Sequence, residues 1–281
     1  MASGPTAYFP RADKKIQNIY KKIIKTCLQI ANYEVQYLMR NFVFTEDANL
    51  KRVLLKLSGE ALACGSGDLY DMDFVDSLAK VLVGCVNEGY EIALVVGAGN
   101  IWRGRQGGEM DRTAADRMGM LATVINAICL KDAIVRAGAP ANVMTAVPMA
   151  PFAENYSAEQ AVKYLQSGHV VVFGAGLGIP FLSTDTTGAV RAAEIGADAM
   201  LMAKNVDYIY TDDPRKNPDA KKLELVKASE VLAMNLKALD ATATAFCLSN
   251  GMQIRVFGLK DPSDIEKAIK GQTLGTTVVA E

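Results

Sequence analysis

The sequence predicts a three-layer α/β/α sandwich with a largely parallel central sheet. From residue 51 onward, short apolar runs alternate with stretches of helical period, the order that lays helices on both faces of a parallel sheet. Several of the runs, EIALVV and VVVF among them, are continuously apolar, as strands buried on both faces require. With 281 residues, 50% of them hydrophobic, the chain can also bury a sizeable core.

Taken in order, VLLKL at 53–57 gives the first strand and 72–87 the first helix by its period. EIALVV at 91–96 is an unbroken apolar strand, followed by a long helical stretch over 113–137. Residues 142–147 predict a strand, 158–167 a helix, VVVF at 170–173 a buried strand, 186–195 a helix and 199–203 another strand. The remainder offers strands at 208–210, 253–257 and 277–279, helices at 229–234 and 242–250, and a last helix before the final strand.

Composition narrows the function. Lys+Arg 30 against Asp+Glu 31 leaves a net charge of -1, which gives no general attraction to nucleic acid or an anionic membrane. A single histidine, His169 in a Ser-Gly-His turn, argues against catalytic triads and histidine metal sites. The five cysteines, Cys27, Cys64, Cys85, Cys129 and Cys247, lack the paired spacing of zinc or redox motifs and are expected as reduced core thiols of a cytoplasmic protein. No uninterrupted apolar run approaches the roughly 20 residues that span a bilayer, and no basic-then-apolar signal peptide opens the chain.

Residues 1–50 stand apart as an N-terminal extension to the 51–281 domain. Ile16, Ile19, Ile23, Cys27 and Ile30 at helical spacing, with lysines on the other side, predict an amphipathic helix within 13–40. Such a helix could dock on the body, pair with another subunit or lie on a membrane. Met39 as a natural start is a further expectation.

Lys56, set in the apolar run KRVLLKLSGEAL, admits two readings. It snorkels to water from an edge strand, or it offers a countercharge where a strand ends in a Ser-Gly turn whose N–H groups face an anion. Four strand ends are unusual in the same way: KLSG at 56–59, VVGAGNIWRG at 95–104, FGAGLGIPFLSTD at 173–185 and MAKNVDYIYTDDP at 202–214. In such sheets ligands sit beyond the carboxyl ends of the strands. Glycine turns together with Lys56, Arg103 and Asp185 therefore point to a phosphate-bearing ligand. The chain has neither GxxxxGK followed by Ser or Thr nor GxGxxG, because the third glycine falls on Ile179 or Trp102, which weakens P-loop and Rossmann readings.

Seven segments in order, KLSGEAL (56–62), GNIWRG (99–104), DRMGMLATVINA (116–127), PFLSTDT (180–186), AEIGADAMLMAKNVD (193–207), YTDDP (210–214) and IRVF (254–257), carry a close likeness. Over 51–281 the sequence resembles the amino acid kinase superfamily, and within it the bacterial-type uridylate kinases. The resemblance implies ATP-dependent conversion of UMP to UDP in pyrimidine nucleotide synthesis, with Mg²⁺ accompanying ATP through phosphate oxygens and water. It also implies a cytoplasmic homohexamer activated by GTP and inhibited by UTP.

By the same resemblance Lys56 stabilises the transferring phosphoryl group, and Leu57, Ser58, Gly59 and Gly99 supply backbone around the ATP phosphates. Arg103 grips phosphate oxygens with its planar fork. Asp116, expected at the head of its helix, takes the UMP ribose. Asp185 orients the lysine or the Mg²⁺ water shell, and Asp240 matches another acidic residue near the centre. Lys204, Asn205, Tyr210 and Asp213 match the adenine and ribose segment. Ala98 and the loop Leu177, Gly178, Ile179, Pro180, Phe181, Leu182, Ser183 and Thr184 match the UMP side.

The acceptor is already an anionic phosphate, so no general base is demanded. Two departures bear on acceptor selectivity: Leu177 and Ile179 replace polar residues of the family's loop, and Ala98 stands where glycine is common. The alternatives are a sibling kinase with another small acceptor, which would not need the Asp116 helix, and a nucleotide-binding storage or regulatory protein on the same fold.

Overall fold

The computed structural model describes residues 50–280 apart from 66, 104–106, 237 and 273; the helix expected within 13–40 and Cys27 lie outside the described residues. Strand β1 (Arg52–Leu57) leads through a short 3-10 turn (Gly59–Ala63) to α1 (Met72–Asn87), β2 (Glu91–Val96) and α2 (Arg112–Ala137). Next come β3 (Ala141–Thr145), β4 (Glu154–Asn155), α3 (Ala158–Gln166), β5 (Val170–Gly174), α4 (Thr184–Glu194) and β6 (Ala199–Lys204). The chain continues with β7 (Ile209–Tyr210), β8 (Lys222–Leu223), β9 (Leu225–Lys227), α5 (Ala228–Ala233), α6 (Ala241–Asn250), β10 (Ile254–Gly258), α7 (Ser263–Ile269) and β11 (Thr276–Val279).

Nine of these strands form one sheet in the order β4-β3-β5-β2-β1-β6-β10-β11-β9, with β7 and β8 as a separate hairpin. Every pairing in the large sheet is parallel except β10 with β11. β1 is therefore central, flanked by β2 and β6, and the edge-strand reading of Lys56 is corrected.

Strand period explains the two cores. Leu55 and Leu57 of β1, with Ile92 and Leu94 of β2, pack against Leu78 and Leu82 of α1, Leu130 and Ile134 of α2 and Ile265 of α7. Leu54 and Val95 face the other way, with Leu165 of α3, Ala189 and Ala192 of α4 and Cys247 of α6. Each large aliphatic side chain buried this way contributes about 1.5–3 kcal/mol. Lys56 shares the parity of Leu54, so it points toward the layer that contains α4.

Helix starts follow capping chemistry. Asp71 accepts from Phe74 N at 3.0 Å to open α1, and Asp111 accepts from Ala114 N at 3.0 Å to open α2. Asp116 is thus one turn inside its helix, not at its head. α2 is long and apolar enough to cross a membrane by length and composition, which a search for uninterrupted runs does not detect. Its inner residues Ala127, Leu130, Ala133 and Ile134 are nevertheless fully buried in the core. Cys85 and Cys247 are core thiols, whereas Cys64 is exposed at the end of the 3-10 turn and Cys129 is half-buried, which corrects the expectation of core burial for those two.

Candidate active site

The four strand ends singled out by sequence belong to β1, β2, β5 and β6. In the sheet they are four neighbours, β5-β2-β1-β6, so the four turns open side by side along one carboxyl edge. Separation in sequence becomes adjacency because each parallel connection returns over a helix.

At the middle of that edge Lys56 Nζ lies 2.6 Å from Asp185 Oδ1, and Lys204 Nζ lies 2.6 Å from Asp185 Oδ2. Lys56 and Asp185 are each only 7% exposed. Asp185 sits in the first turn of α4, where the helix dipole favours a carboxylate. Burial works to raise the Asp185 carboxyl, but Lys56 and Lys204 outweigh it and hold it below the ordinary carboxylate range. Burial draws the Lys56 ammonium below the ordinary lysine range, Asp185 opposing and Lys204 adding to the fall. Two cations therefore converge on one anion and leave a net positive centre, suited to a polyanion.

Lys204, matched by resemblance to the adenine and ribose segment, lines the cleft beside Asn205 and also brings its ammonium into the central cluster. Parity carried the signal: Met200, Met202 and Lys204 alternate along β6, and Met200 and Met202 line the α4-side core.

The turn after β1 fits against the turn after β2 with no room to spare. A Cβ on Gly59 would fall 2.6 Å from Gly97 O, Gly99 N and Asn100 Oδ1, so only glycine is accommodated there. Leu57 O accepts from Gly97 N at 2.9 Å, and Ser58 caps the 3-10 turn by accepting from Glu60 N. Ala98 O accepts from Ile101 N and Trp102 N, closing the second turn. Sequence reasoning passed over Glu60. Its carboxylate pairs with Arg103, and its side chain lies 3.1–3.5 Å from where a Cβ on Gly99 would stand, so the two glycine turns and the arginine form one unit.

On the β5 side the loop 175–183 is apolar and open, with Ile179 57% and Phe181 63% exposed. Gly178, at φ 80°, lies close against Ala146. Leu177 and Pro180 are half-buried and Leu182 is exposed. Asp116 Oδ2 accepts from Phe181 N at 2.8 Å while Arg112 Nε contacts both carboxylate oxygens at 2.9 Å, so Asp116 fixes this loop to α2. Ser183 is the N-cap of α4, and Thr184 is its first residue. Asp240 Oδ2 accepts from Ser183 Oγ and Thr186 Oγ1, both at 2.5 Å, and Asp240 also caps α6. It thereby holds the start of Asp185's helix to α6, and no contact with Lys56 is among those described.

Toward β6 a cleft of about 360 Å³ opens between Ser58, Ala61, Lys204, Asn205, Leu259 and Lys260. Tyr210 donates to Asp207 Oδ1 at 2.8 Å, and Asp213 pairs with Arg215 in the polar turn beyond. Neither Tyr210 nor Asp213 lines the cleft. His169 lies well away, hydrogen-bonded to Asn142 and stacked on Tyr164.

Fold and site together define a phosphate-handling α/β enzyme whose cationic centre stands at the carboxyl edge of four parallel strands. The sequence profile of the amino acid kinase family matches residues 51–258, and the chain belongs to that family. Among solved structures it is similar to the UMP kinase from Bacillus anthracis, at 34% identity and TM-score 0.79, covering 83% of this chain and 97% of that one. The UMP kinase from Ureaplasma parvum matches at 34% identity and TM-score 0.77, covering 82% and 99%. The uridylate kinase from Archaeoglobus fulgidus, at 24% identity, TM-score 0.60 and coverage of 80% and 99%, shares the fold.

Proposed function

We propose that this chain is a UMP kinase, transferring the γ-phosphoryl group of MgATP to UMP to give UDP and ADP. The observation that carries the reading is the Lys56–Asp185–Lys204 cluster set between two interlocked glycine turns. Phosphoryl transfer has little covalent work for a protein to do, so positioning and charge neutralisation account for catalysis. Lys56 and Lys204 stabilise the oxygens of the moving group, and Asp185 keeps both ammonium groups aimed at it. Backbone of Leu57, Ser58, Gly59 and Gly99 lines the donor phosphates, with Arg103 released from Glu60 to grip phosphate oxygens. Asn205 serves the nucleoside end through the adjoining cleft, with Tyr210 and Asp213 beyond it. The acceptor lies along Ala98, Asp116 and the loop 177–184. Both Asp185 oxygens are engaged by ammonium groups, which fits a Mg²⁺ that arrives on the ATP phosphates and keeps water as its other ligands.

The same reading extends to pyrimidine nucleotide synthesis in the cytoplasm, to GTP activation and UTP inhibition, and to residues 1–50 as an extension outside the kinase domain. The resemblance extends the reading to a homohexamer; the outer stripe of α2, where Met118, Leu121, Ile125, Ile128 and Val135 are exposed, supports an interface between subunits without fixing their number. The deciding experiment is ADP formation from MgATP with UMP, with CMP and with no acceptor, for the full chain and for a chain starting at Met39. Turnover that depends on UMP in both supports the reading; ATP binding without acceptor-dependent turnover rejects it in favour of a storage or regulatory role.

A further inference from the structure

Asn126 lies in the middle of α2, fully buried and outside every motif role assigned above. Its amide makes both donations and both acceptances available to it. Nδ2 donates to Gly97 O at 2.7 Å and to Asn100 Oδ1 at 2.8 Å; Oδ1 accepts from Tyr70 OH at 2.7 Å and from Asn100 Nδ2 at 3.1 Å. Gly97 O and Asn100 Oδ1 are also two of the atoms that leave Gly59 no room for a side chain. Asn126 therefore holds, from behind, the wall against which the KLSG turn rests. Three residues earlier on the same helix face, Thr123 Oγ1 accepts from Ala175 N at 2.9 Å and donates to Met120 O, pinning the turn after β5. A helix rises about 1.5 Å per residue, so one rigid element sets the spacing of both turns.

We infer that Asn126 is a positioning residue for phosphoryl transfer: it registers the β2 turn and, through it, the β1 turn, while touching neither nucleotide. Tyr70 acts through it, since a hydroxyl donated to Oδ1 aims Nδ2 at Gly97 O. Burial pushes the Tyr70 hydroxyl up to about 12, so it remains a donor at neutral pH. The inference rests on the phosphoryl-transfer reading of the site, because in-line reaction is sensitive to displacements of about 1 Å, which can cost on the order of 100-fold in rate.

The test uses the full chain with Asn126→Asp, Asn126→Ala and the milder Tyr70→Phe. At saturating MgATP and UMP, kcat falls by at least about tenfold in the Asn126 variants and by a smaller factor in Tyr70→Phe, while KM for each substrate changes less than about threefold. Tyr70→Phe adds nothing in the Asn126→Ala background, the non-additivity expected of residues acting as one unit. In parallel, amide hydrogen exchange of 97–100 accelerates in Tyr70→Phe while the strands β1 and β6 keep their protection. Folded variants with wild-type kcat, or unchanged exchange at 97–100, would overturn the inference. Should the wild type give no UMP-dependent turnover, the function reading fails, and the exchange measurement still decides whether Asn126 and Tyr70 hold the turn.

Discussion

Lys56 Nζ lies 2.6 Å from Asp185 Oδ1, joining the central strand to the first turn of a helix about 130 residues further along the chain. The pair is nearly out of solvent, so each charge depends on the other. On the proposed reading, Lys56→Ala removes the cation that faces the transferring group but leaves the acceptor loop and Asp116 in place. Expected is a fall in kcat of at least about 100-fold with UMP affinity changed only a few-fold. Steady-state kinetics with a separate UMP binding titration measure both quantities.

Asp185→Asn is expected to be worse for folding than Lys56→Ala, because it leaves two ammonium groups facing each other. Removing one partner of a buried ion pair costs about 3–5 kcal/mol. Urea unfolding of wild type and variant checks this; a midpoint equal to wild type would contradict the assignment of Asp185 as the anchor of both lysines.

The lysine titration gives a signed pH dependence. Burial, reinforced by Lys204, draws Lys56 below its ordinary value of 10.5, so on raising the pH the folded chain loses this proton before the unfolded chain does. The Lys56 contribution to stability therefore rises with pH between the folded value and 10.5. Activity moves the opposite way, since a neutral amine no longer stabilises the phosphoryl oxygens. In kcat/KM the alkaline limb falls below 10.5, and Lys204→Met moves it to higher pH. Substrate titrations are common to both enzymes and cancel in the comparison. Asp185, held below the ordinary carboxylate range, gives stability that is complete above about pH 4 and is lost as pH falls through its folded value.

Gly59→Ala tests the interlock of the two turns. Its Cβ would meet backbone of Gly97 and Gly99 at 2.6 Å, and backbone cannot swing aside as a side-chain end can. Overpacking of this kind costs about 1–3 kcal/mol. Because the strain lands between the two turns that the proposed reading sets around the phosphates, kcat should fall more than thermal stability alone explains, as a melting curve beside a kcat measurement would reveal.

Asp240→Ala separates support from chemistry. It removes the α6 cap and the shared acceptor for Ser183 and Thr186. A loss of about 1–3 kcal/mol in stability is expected. Activity should fall moderately, through displacement of Asp185's helix, and less than in Lys56→Ala. A loss of turnover as deep as that of Lys56→Ala, in a folded variant, would instead put Asp240 in contact with the reacting groups.

The α/β alternation was legible because unbroken runs such as EIALVV and VVVFG can be satisfied only between two helical layers. Strand neighbours were not: nothing local in 95–104 or 173–185 says that β2 and β5 lie side by side. Short edge elements such as β4 and β8, two residues each, carry no period at all. At the site, Lys56 and Asp185 stood out because a charge in an apolar run and a carboxylate at a helix start are local signals. Lys204 needed the parity of β6, and Glu60 needed knowledge that Gly99 approaches it. Asn126 looked like one polar residue on an apolar helix; its meaning comes from two turns that only the fold brings to it. The helical period over 113–137 located α2 to within a residue of Arg112–Ala137, but by residue type either Asp111 or Asp116 could head it, and the capping contact falls to Asp111.

The most direct test follows the γ-labelled phosphoryl group of MgATP in a single turnover with UMP, using wild type and Lys56→Ala at substrate-saturating enzyme. The account predicts label in UDP for the wild type and transfer slowed by at least about 100-fold in the variant, with UMP still bound. Label appearing only in inorganic phosphate, or transfer to UMP at an undiminished rate without Lys56, would contradict it.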